Sequence, residues 1–316
     1  MRELFTSSYR RIRGLVCRVR GILRRRMYRV KIRALGHLSL YRILKMYTAG
    51  LVNGTIAARA ESIAYSFFMA VFPAVVFVFS IIPYIPIEGL QATLMQTIEQ
   101  ALPPHTWETV GPTVNDIIHI KRGGLLSVSF AGVLFFTTNG VNGLIANFRT
   151  SYHKISMRPY LNQYLISLGL VGLLLSILVA TLAMIVGSDL FWEYIGENAS
   201  TVFDTADPAR FAKYGLIGFS LLVCVSLIFH FGPRLHRLPF FSPGAILSTA
   251  LILASSYVFA FYIDHFSQYN KLYGSIGAVL IFMLWLFIIA LLLLVGFELN
   301  AAIVRSLSHL KRRNRP

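Results

Sequence analysis

Side chains that could do chemistry lie in or beside stretches of the sequence that are otherwise apolar. Glu61 stands at the start of the first such stretch, Glu298 stands near the end of the last, and Arg59 precedes the first carboxylate. An ionisable group at membrane depth costs about 2.5 kcal/mol or more, so it normally faces other protein groups or a wet cavity. The candidate substrate or cavity residues are Arg59, Glu61, Tyr65, Ser66, Asn139, Asn142, Arg149, Ser255, Ser256, Tyr269, Tyr273, Glu298 and Asn300.

Three roles fit the position of Glu298. The carboxylate pairs with Arg59 or another basic residue and holds helices together, because a buried charge needs a partner. Alternatively, it forms a charged gate or a proton site beside a cavity, with Glu61 at about the same depth. In the third role it lies in solvent at the end of its helix.

Uncharged polar side chains mark two further places. Asn139 and Asn142 are three residues apart and share one helix face, where they form interhelical hydrogen bonds or line a polar pathway. Tyr269 and Tyr273 stand near a membrane boundary, so they are interfacial anchors or part of a site. Pro73 lacks a backbone donor and predicts a kink in its helix unless a neighbour compensates.

Catalytic motifs of soluble enzymes are missing from the sequence. It contains no His-x-Glu-type metal pair, no phosphate-cradling glycine loop and no Gly-x-Ser-x-Gly elbow. Metal-dependent hydrolysis needs several converging carboxylates, but the predicted cytoplasmic side offers only Glu3, Glu61 and Glu298. We therefore expect a protein that is not an enzyme and that holds neither a metal nor a cofactor.

The elements that position these residues follow from composition. Hydrophobic residues make up 56% of the 316-residue chain and charged residues 14%, whereas soluble domains carry about 25% charged residues. This excludes a soluble enzyme, a disordered tail protein and a disulfide-stapled secreted module. Since about 20 apolar residues cross a bilayer, the sequence predicts an all-α, polytopic membrane protein with six transmembrane helices, at Glu61–Pro83, Leu125–Ala146, Leu161–Gly187, Tyr214–Phe231, Pro243–Ile263 and Gly274–Ala301.

Two longer connections are predicted on the outer side of the membrane. In Ile85–Gly124, apolar residues recur at helical spacing on both sides of Pro103-Pro104, which predicts two short amphipathic helices. The segment Gly187–Lys213 is predicted to be a second, more acidic outer loop.

The distribution of basic residues predicts the orientation. With six spans, 25 of the 30 lysines and arginines fall on the side of both termini, and ten of the thirteen acids fall on the other side. The positive-inside rule then places both termini in the cytoplasm. The predicted domains are a basic arm with an interfacial helix (1–58), the transmembrane domain (59–303) and a basic tail (304–316).

The basic arm is interpreted as a lipid-binding segment. Residues 1–51 contain fourteen Lys or Arg and one Glu, and each basic residue near an anionic leaflet gains about 1 kcal/mol. No aromatic-basic recognition module accompanies this charge, so we expect anionic headgroups as partners and no nucleic acid. Small residues such as Gly169, Gly172, Gly215 and Gly218 would tolerate close helix contacts in a homo-oligomer.

Three groups of motifs resemble one known family. They are Ala58–Ser66 with Phe72-Pro73; Asn139–Asn147 with Arg158-Pro159; and Leu238-Pro239, Pro243–Ala245, Phe266–Tyr269, Tyr273–Gly277 and Gly296–Ala301. In these motifs the chain resembles the YihY/BrkB family of six-helix bacterial inner-membrane proteins. The segment Phe148–Lys154 departs from the family pattern, so no role is transferred to that loop. The resemblance implies transport or lipid handling, and the scarcity of carboxylates argues against the family's former label, ribonuclease BN.

We predict a transporter or flippase-like protein for an anionic lipid or a small anionic substrate. In this hypothesis polar side chains from several helices converge on one intramembrane cavity, and the positive cytoplasmic rim attracts the anion. The alternative is a non-transporting scaffold or regulator that binds anionic lipid or partners through its basic arm. A membrane-bound nuclease would instead cleave RNA with a metal ion, in a reaction dependent on Glu61.

Overall fold

The computed structural model of the protein describes residues 31–32, 38–86, 89–101, 104–151, 159–198, 206–233, 238–265 and 269–313. Two short strands, β1 (Lys31–Ile32) and β2 (Leu38–Ser39), pair antiparallel in the arm. The remaining elements in the described ranges are α1 (Leu40–Asn53), α2 (Ile56–Ile81), α3 (Leu90–Ala101), α4 (Pro104–His119), α5 (Gly123–Arg149), α6 (Tyr160–Asn198), α7 (Ala206–Phe231), α8 (Pro243–His265) and α9 (Tyr269–Arg313). The predicted all-α class is confirmed, and the small ladder was not predicted.

Six of these helices are long and apolar enough to cross a bilayer, which confirms the predicted number of spans. Their candidate spans are Ile56–Tyr84, Gly123–Arg149, Tyr160–Ile185, Lys213–Phe231, Pro243–Ile263 and Gly277–Ser308. The helices themselves extend further than the apolar runs. In particular, α6 continues to Asn198 and α7 begins at Ala206, inside the segment predicted to be a loop. Apolar composition marks the membrane-crossing part of a helix and says little about where the helix ends.

The six spanning helices form a closed ring. Each packs against the next in the chain, and α9 returns to pack against α2. The start of α2 and the ends of α5 and α9 meet at one end of the ring, where Arg59, Arg149 and Arg305 lie. We name this the basic end, and the opposite one the far end. The connections 199–205 and 266–268 fall within the two to eight residues that commonly join antiparallel neighbours, whereas the other spanning helices are joined by longer segments.

The far end of α2 is covered by the two predicted amphipathic helices. Val114 and Ile118 of α4 are buried against Ile82, which directly follows α2. Leu94, Met95 and Ile98 of α3 complete this cluster. Two short helices therefore form here, as the helical spacing of their apolar residues predicts, and they cap the far end of α2.

The arm helix α1 lies against the protein as well as carrying basic residues. Ile43 is buried with Leu238 and with Ile303 of α9. The hydroxyl of Ser306 in α9 donates a hydrogen bond of 3.1 Å to the sulfur of Met46. One face of the predicted interfacial helix is thus packed onto α9, while Lys45 on another face is exposed.

Candidate functional site

A buried ion pair joins the first and last spanning helices at the basic end. Nη1 of Arg59 lies 2.8 Å from Oε1 of Glu298, and the two side chains are 5% and 0% exposed. Of the three roles that the sequence left open for Glu298, the structure therefore shows pairing with Arg59. The gate role additionally requires a movement that separates the two charges.

The remaining hydrogen-bonding groups of the pair reach two other parts of the ring. Nε and Nη2 of Arg59 both donate to the carbonyl oxygen of Asn147 in α5, at 3.0 and 2.6 Å. Nη1 also donates to the carbonyl oxygen of Gly54, in the turn before α2. The hydroxyl of Ser151 donates to Oε2 of Glu298 at 2.8 Å. A buried charge pair is stable only when such additional bonds are made, so this cluster locks α2, α5 and α9 together.

A second polar cluster joins α8 to α9, close to the first. Oδ1 of Asn300 accepts a hydrogen bond from the backbone N–H of Gly244 at 2.8 Å, and Nδ2 donates to Ser242 at 2.7 Å. The hydroxyl of Ser248 donates to the carbonyl oxygen of Leu292. The predicted residue Asn300 therefore caps the start of α8.

Stacked aromatic rings close the basic end between these polar clusters. The rings of Phe148 and Phe297 are parallel, with centroids 4.1 Å apart, and Phe229 meets both of them edge-on. Phe148 and Phe297 are fully buried. We name Phe148, Phe229 and Phe297 the aromatic plug. A neighbouring cavity between Phe240, His230 and Asn300 has a volume of about 10 Å³, enough for about one water molecule.

The other predicted residues do not join the ion pair. Glu61 and Tyr65 are exposed on α2, and the hydroxyl of Ser66 donates to the carbonyl oxygen of Ser62. Asn139, Asn142, Arg149, Ser255 and Ser256 are half-buried on their helices, and the Ser256 hydroxyl donates to the carbonyl oxygen of Ile252. Tyr269 and Tyr273 lie in α9, but their side chains are outside the described part of the structure.

The kink predicted at Pro73 stays a prediction. Helix α2 is assigned without interruption through Pro73. Gly132 of α5 lies against this proline, since a Cβ atom added at Gly132 would be 3.1 Å from Cβ of Pro73. The missing side chain at Gly132 lets the two helices approach each other at the proline.

Several residues of these clusters were not singled out from the sequence. Asn147 acts through its backbone carbonyl and Ser151 through a common hydroxyl, and neither carries a sequence signal for that role. Five other buried polar atoms have no hydrogen-bond partner among the described residues: Thr138 Oγ1, Asn142 Oδ1, Gln163 Nε2, Ser226 Oγ and Thr249 Oγ1. Each unpaired buried group costs about 1–3 kcal/mol. The sequence signal for these residues is a polar side chain within an apolar helix, and only Asn142 was selected from that signal.

Burial changes sharply along the ring. In α6–α9, the described buried residues of the spanning segments lie in the half toward the basic end, apart from Gly277 and Ala290. No residue is buried in the described ranges 172–185, 213–224, 253–263 and 278–289. Contacts between neighbouring helices continue there, since Phe259 of α8 stacks on Trp285 of α9 with ring centroids 4.7 Å apart. The far halves of α6–α9 are therefore in contact, but they are packed more loosely than the halves toward the basic end.

The loosely packed far halves of α6–α9 are apolar. Apart from Lys213, the same four ranges contain no charged residue. The hydroxyls of Ser176, Thr181 and Ser220 donate to carbonyl oxygens of their own helices. The exposed large side chains include Leu173, Leu178, Leu182, Ile217, Phe219, Tyr257, Val258, Phe261, Val279, Leu280 and Leu284. Such surfaces suit contact with hydrocarbon chains better than contact with a hydrated ion.

The position of Tyr47 in α1 predicts a pH dependence. Burial, followed by the negative charge of Glu298, raises the pKa of Tyr47 from its usual value of 10.0. The folded protein thus resists tyrosinate formation more than the unfolded chain, and stability falls as the pH rises above about 10. We expect Tyr47→Phe to lose less stability than the wild type between pH 9 and 11, measured by thermal unfolding in detergent. Equal losses in both proteins would contradict this assignment.

A metal centre is not visible in the described ranges. No three His, Cys, Asp or Glu side chains lie together there in a position to hold a metal ion. The expectation that the protein binds no metal and no cofactor remains a prediction.

Comparison with known proteins agrees with this architecture. The family profile described as Virulence factor BrkB matches residues 48–316, which is most of the chain. The chain belongs to the BrkB family. This confirms the resemblance stated from the motifs, and the residues of the ion pair and the aromatic plug lie within the matched range. No solved structure matches this BrkB-family chain.

Relatives of this BrkB-family protein carry different kinds of names. A ribonuclease-like protein, YfkH, of Bacillus subtilis is 27% identical over 77% of this chain and 88% of its own length. A UPF0761 membrane protein of Coxiella burnetii is 23% identical over 76% of this chain and 85% of its own length. A UPF0761 membrane protein of Xanthomonas axonopodis is 26% identical over 53% of this chain and 41% of its own length.

Proposed function

We propose that this BrkB-family protein is a flippase-like transporter of an anionic lipid in the bacterial inner membrane. The packing of α6–α9 carries this proposal. Their far halves are apolar and loosely packed, whereas the aromatic plug and the ion pair close the basic end. Tight closure at one end of a ring and loose packing at the other are what one state of an alternating-access cycle requires.

The apolar far halves of α6–α9 favour a lipid over the small anion that the sequence also allowed. A small anion would pass between these helices without charged groups to replace its water, and that desolvation is costly. A lipid would instead place its acyl chains against the apolar helices and its headgroup inside the ring. These arguments support an amphiphile as the substrate.

The basic end supports the anionic character of the substrate. On the predicted orientation it faces the cytoplasm, and the arm and tail add most of the net charge of +17. Basic segments at a membrane surface gather anionic lipids, by about 1 kcal/mol for each Lys or Arg. The arm would thus concentrate substrate lipid around the ring.

Movement of lipid in reconstituted vesicles tests this function. We expect vesicles with the full chain to expose more than half of an NBD-labelled phosphatidylglycerol to dithionite, while protein-free vesicles expose about half. NBD-labelled phosphatidylcholine with the same chains should move more slowly, and trapped chloride should not leak. Phosphatidylglycerol exposure that stays at the protein-free level, with and without a proton gradient, would overturn the proposal.

Removal of the arm distinguishes transport from the scaffold hypothesis. A variant lacking residues 1–33 keeps all spanning helices, so we expect it to retain lipid movement in vesicles that contain excess substrate. A scaffold would show no lipid movement in either form, and its cellular phenotype would disappear with the arm. The nuclease hypothesis instead requires the purified protein to cleave RNA, and the same protein preparation can be assayed for that cleavage.

A further inference from the structure

The arm helix α1 lies at the boundary of the bilayer. Two residues separate its end from the candidate span of α2. Ile43 of α1 is buried with Ile303, and Ser306 donates a hydrogen bond to Met46. Ile303 and Ser306 both belong to the candidate span of α9. With 14 residues, α1 is too short to cross the hydrocarbon layer, so it lies where lipid headgroups meet the ends of the spanning helices.

The outer face of α1, which points away from the protein, suits a lipid surface. On this face Leu44 is 39% exposed and Val52 is 81% exposed, and Lys45 is exposed as well. The hydroxyl of Thr48 on the same face donates to carbonyl oxygens of its own helix. Apolar side chains beside a basic residue are typical of helices that lie in the headgroup layer of a membrane.

The charge of α1 favours an anionic surface. The helix contains two basic residues, Arg42 and Lys45, and no acidic residue. Basic residues near an anionic leaflet are attracted to it, each adding to the binding. The partner that fits the outer face of α1 is therefore a leaflet that contains anionic lipid.

Arg59 connects the end of α1 to the end of α5. Its Nη1 donates to the carbonyl oxygen of Gly54, directly after α1, at 3.2 Å, and its Nε and Nη2 donate to the carbonyl oxygen of Asn147. The same Nη1 pairs with Glu298. Tyr47 places α1 near this pair, because burial and then the charge of Glu298 raise the pKa of the Tyr47 phenol. A displacement of α1 would therefore move a hydrogen-bond partner of the ion pair.

The link between α1 and α2 is held in one conformation. Thr55 has φ 46° and ψ 42°, in the left-handed region. This conformation is costly for a β-branched residue, and it persists only where the surroundings impose it. The Thr55 hydroxyl donates to the carbonyl oxygen of Gly54 at 2.8 Å, and the backbone N–H of Arg59 donates to that of Thr55 at 3.2 Å. A fixed two-residue link transmits a movement of α1 to Arg59.

We propose that α1 is a lipid-sensing helix, which binds an anionic leaflet through its outer face and thereby keeps the Arg59–Glu298 pair closed. Release of α1 from the leaflet withdraws the carbonyl oxygen of Gly54 from Arg59 and loosens α2, α5 and α9 at the basic end. The inference goes beyond the proposed transport and does not depend on it, because it concerns only what holds the basic end together.

Amide hydrogen exchange of the full chain in lipid nanodiscs tests this inference. The nanodiscs contain phosphatidylcholine alone or mixed with phosphatidylglycerol, and mass spectrometry follows exchange in residues 40–53 of α1 and 144–151 at the end of α5. Local opening of α1 must release it from the lipid, so binding adds to its protection. The test variant is Arg42→Gln/Lys45→Gln. The matched control is Lys121→Gln/Arg122→Gln, which changes two adjacent exposed basic residues at the far end.

We expect phosphatidylglycerol to slow exchange about tenfold in α1, which two basic residues near an anionic surface are sufficient to produce. Exchange at the end of α5 should slow by a smaller factor. The α1 variant should lose both effects, and the far-end control should keep both. The variant Arg59→Met/Glu298→Leu removes the bridge without leaving an unpaired charge. In that variant α1 should still respond to phosphatidylglycerol, but the end of α5 should not.

Three outcomes would overturn the inference. Equal exchange of α1 in the two kinds of nanodisc would show that it does not bind anionic lipid. A full response in the α1 variant would show that the lipid acts on another surface. A response of α1 without one at the end of α5 would show that α1 binds lipid but does not hold the ion pair. The expected exchange pattern in a wild type that moves no lipid would support the inference and overturn only the proposed transport.

Discussion

Replacing Glu298 by glutamine is expected to lower the free energy of unfolding by about 3–5 kcal/mol, the usual cost of breaking a buried ion pair. The substitution keeps the shape of the side chain but leaves the guanidinium of Arg59 buried without its counter-charge. The carbonyl oxygens of Asn147 and Gly54 remain as its acceptors, but they carry no full charge. Thermal unfolding of the purified protein in detergent measures the effect.

Matched substitutions separate the ion pair from a general effect of charge. Glu61→Gln changes the exposed carboxylate at about the same depth, and we expect a change within about 0.5 kcal/mol. The double variant Arg59→Met/Glu298→Leu removes both charges and should recover much of the stability, because neither charge is then left unpaired. A Glu298→Gln protein as stable as Glu61→Gln would show that Arg59 does not depend on this carboxylate.

A methyl group added at Gly296 is expected to destabilise the protein by about 3 kcal/mol, near the upper end of the usual cost of overpacking. A Cβ atom at Gly296 would overlap the carbonyl oxygen of Gly244 and the hydroxyl of Ser248. The backbone oxygen cannot rotate away, so α8 and α9 must separate. That movement also strains the bonds from Asn300 to the start of α8.

Glycines of the same ring supply the control for Gly296→Ala. A Cβ atom at Gly172 or Gly215 would meet nothing within 4 Å. Alanine is the better helix former by about 1 kcal/mol, so Gly172→Ala should leave stability unchanged or raise it. Unfolding in detergent, monitored by circular dichroism, compares the variants. Equal stability of Gly296→Ala and Gly172→Ala would contradict the close contact between α8 and α9.

Both predictions concern the closure of the basic end. The ion pair ties α2 to α9 and to the end of α5, while the glycine contact ties α8 to α9. In the proposed transport cycle these contacts must loosen for the ring to open toward the basic end. A variant that weakens them without unfolding the protein would therefore favour the opposite state.

Some parts of the site followed from residue types, and others did not. Arg59 and Glu298 were recognisable because charges are rare in apolar stretches, and pairing was one of the roles left open. Glu61 and Tyr65 have similar types and depth, yet both are exposed. The rotation of α2 decides this difference, and α2 carries apolar residues around its whole circumference, so periodicity does not define a buried face. The looser packing of the far halves of α6–α9 was also not predicted, because loosely and tightly packed halves of a spanning helix have similar composition.

Local features of the sequence were sufficient to predict six membrane-crossing helices and two short helices in the first long connection. Its motifs were sufficient to predict the family. Each of these depends on local features, namely the length of an apolar run, helical spacing and prolines. Tertiary structure decided that Arg59 meets Glu298, that three phenylalanines close one end and that α6–α9 are loosely packed at the other. These contacts join residues up to 239 positions apart, and their geometry depends on how every helix rotates and tilts against its neighbours.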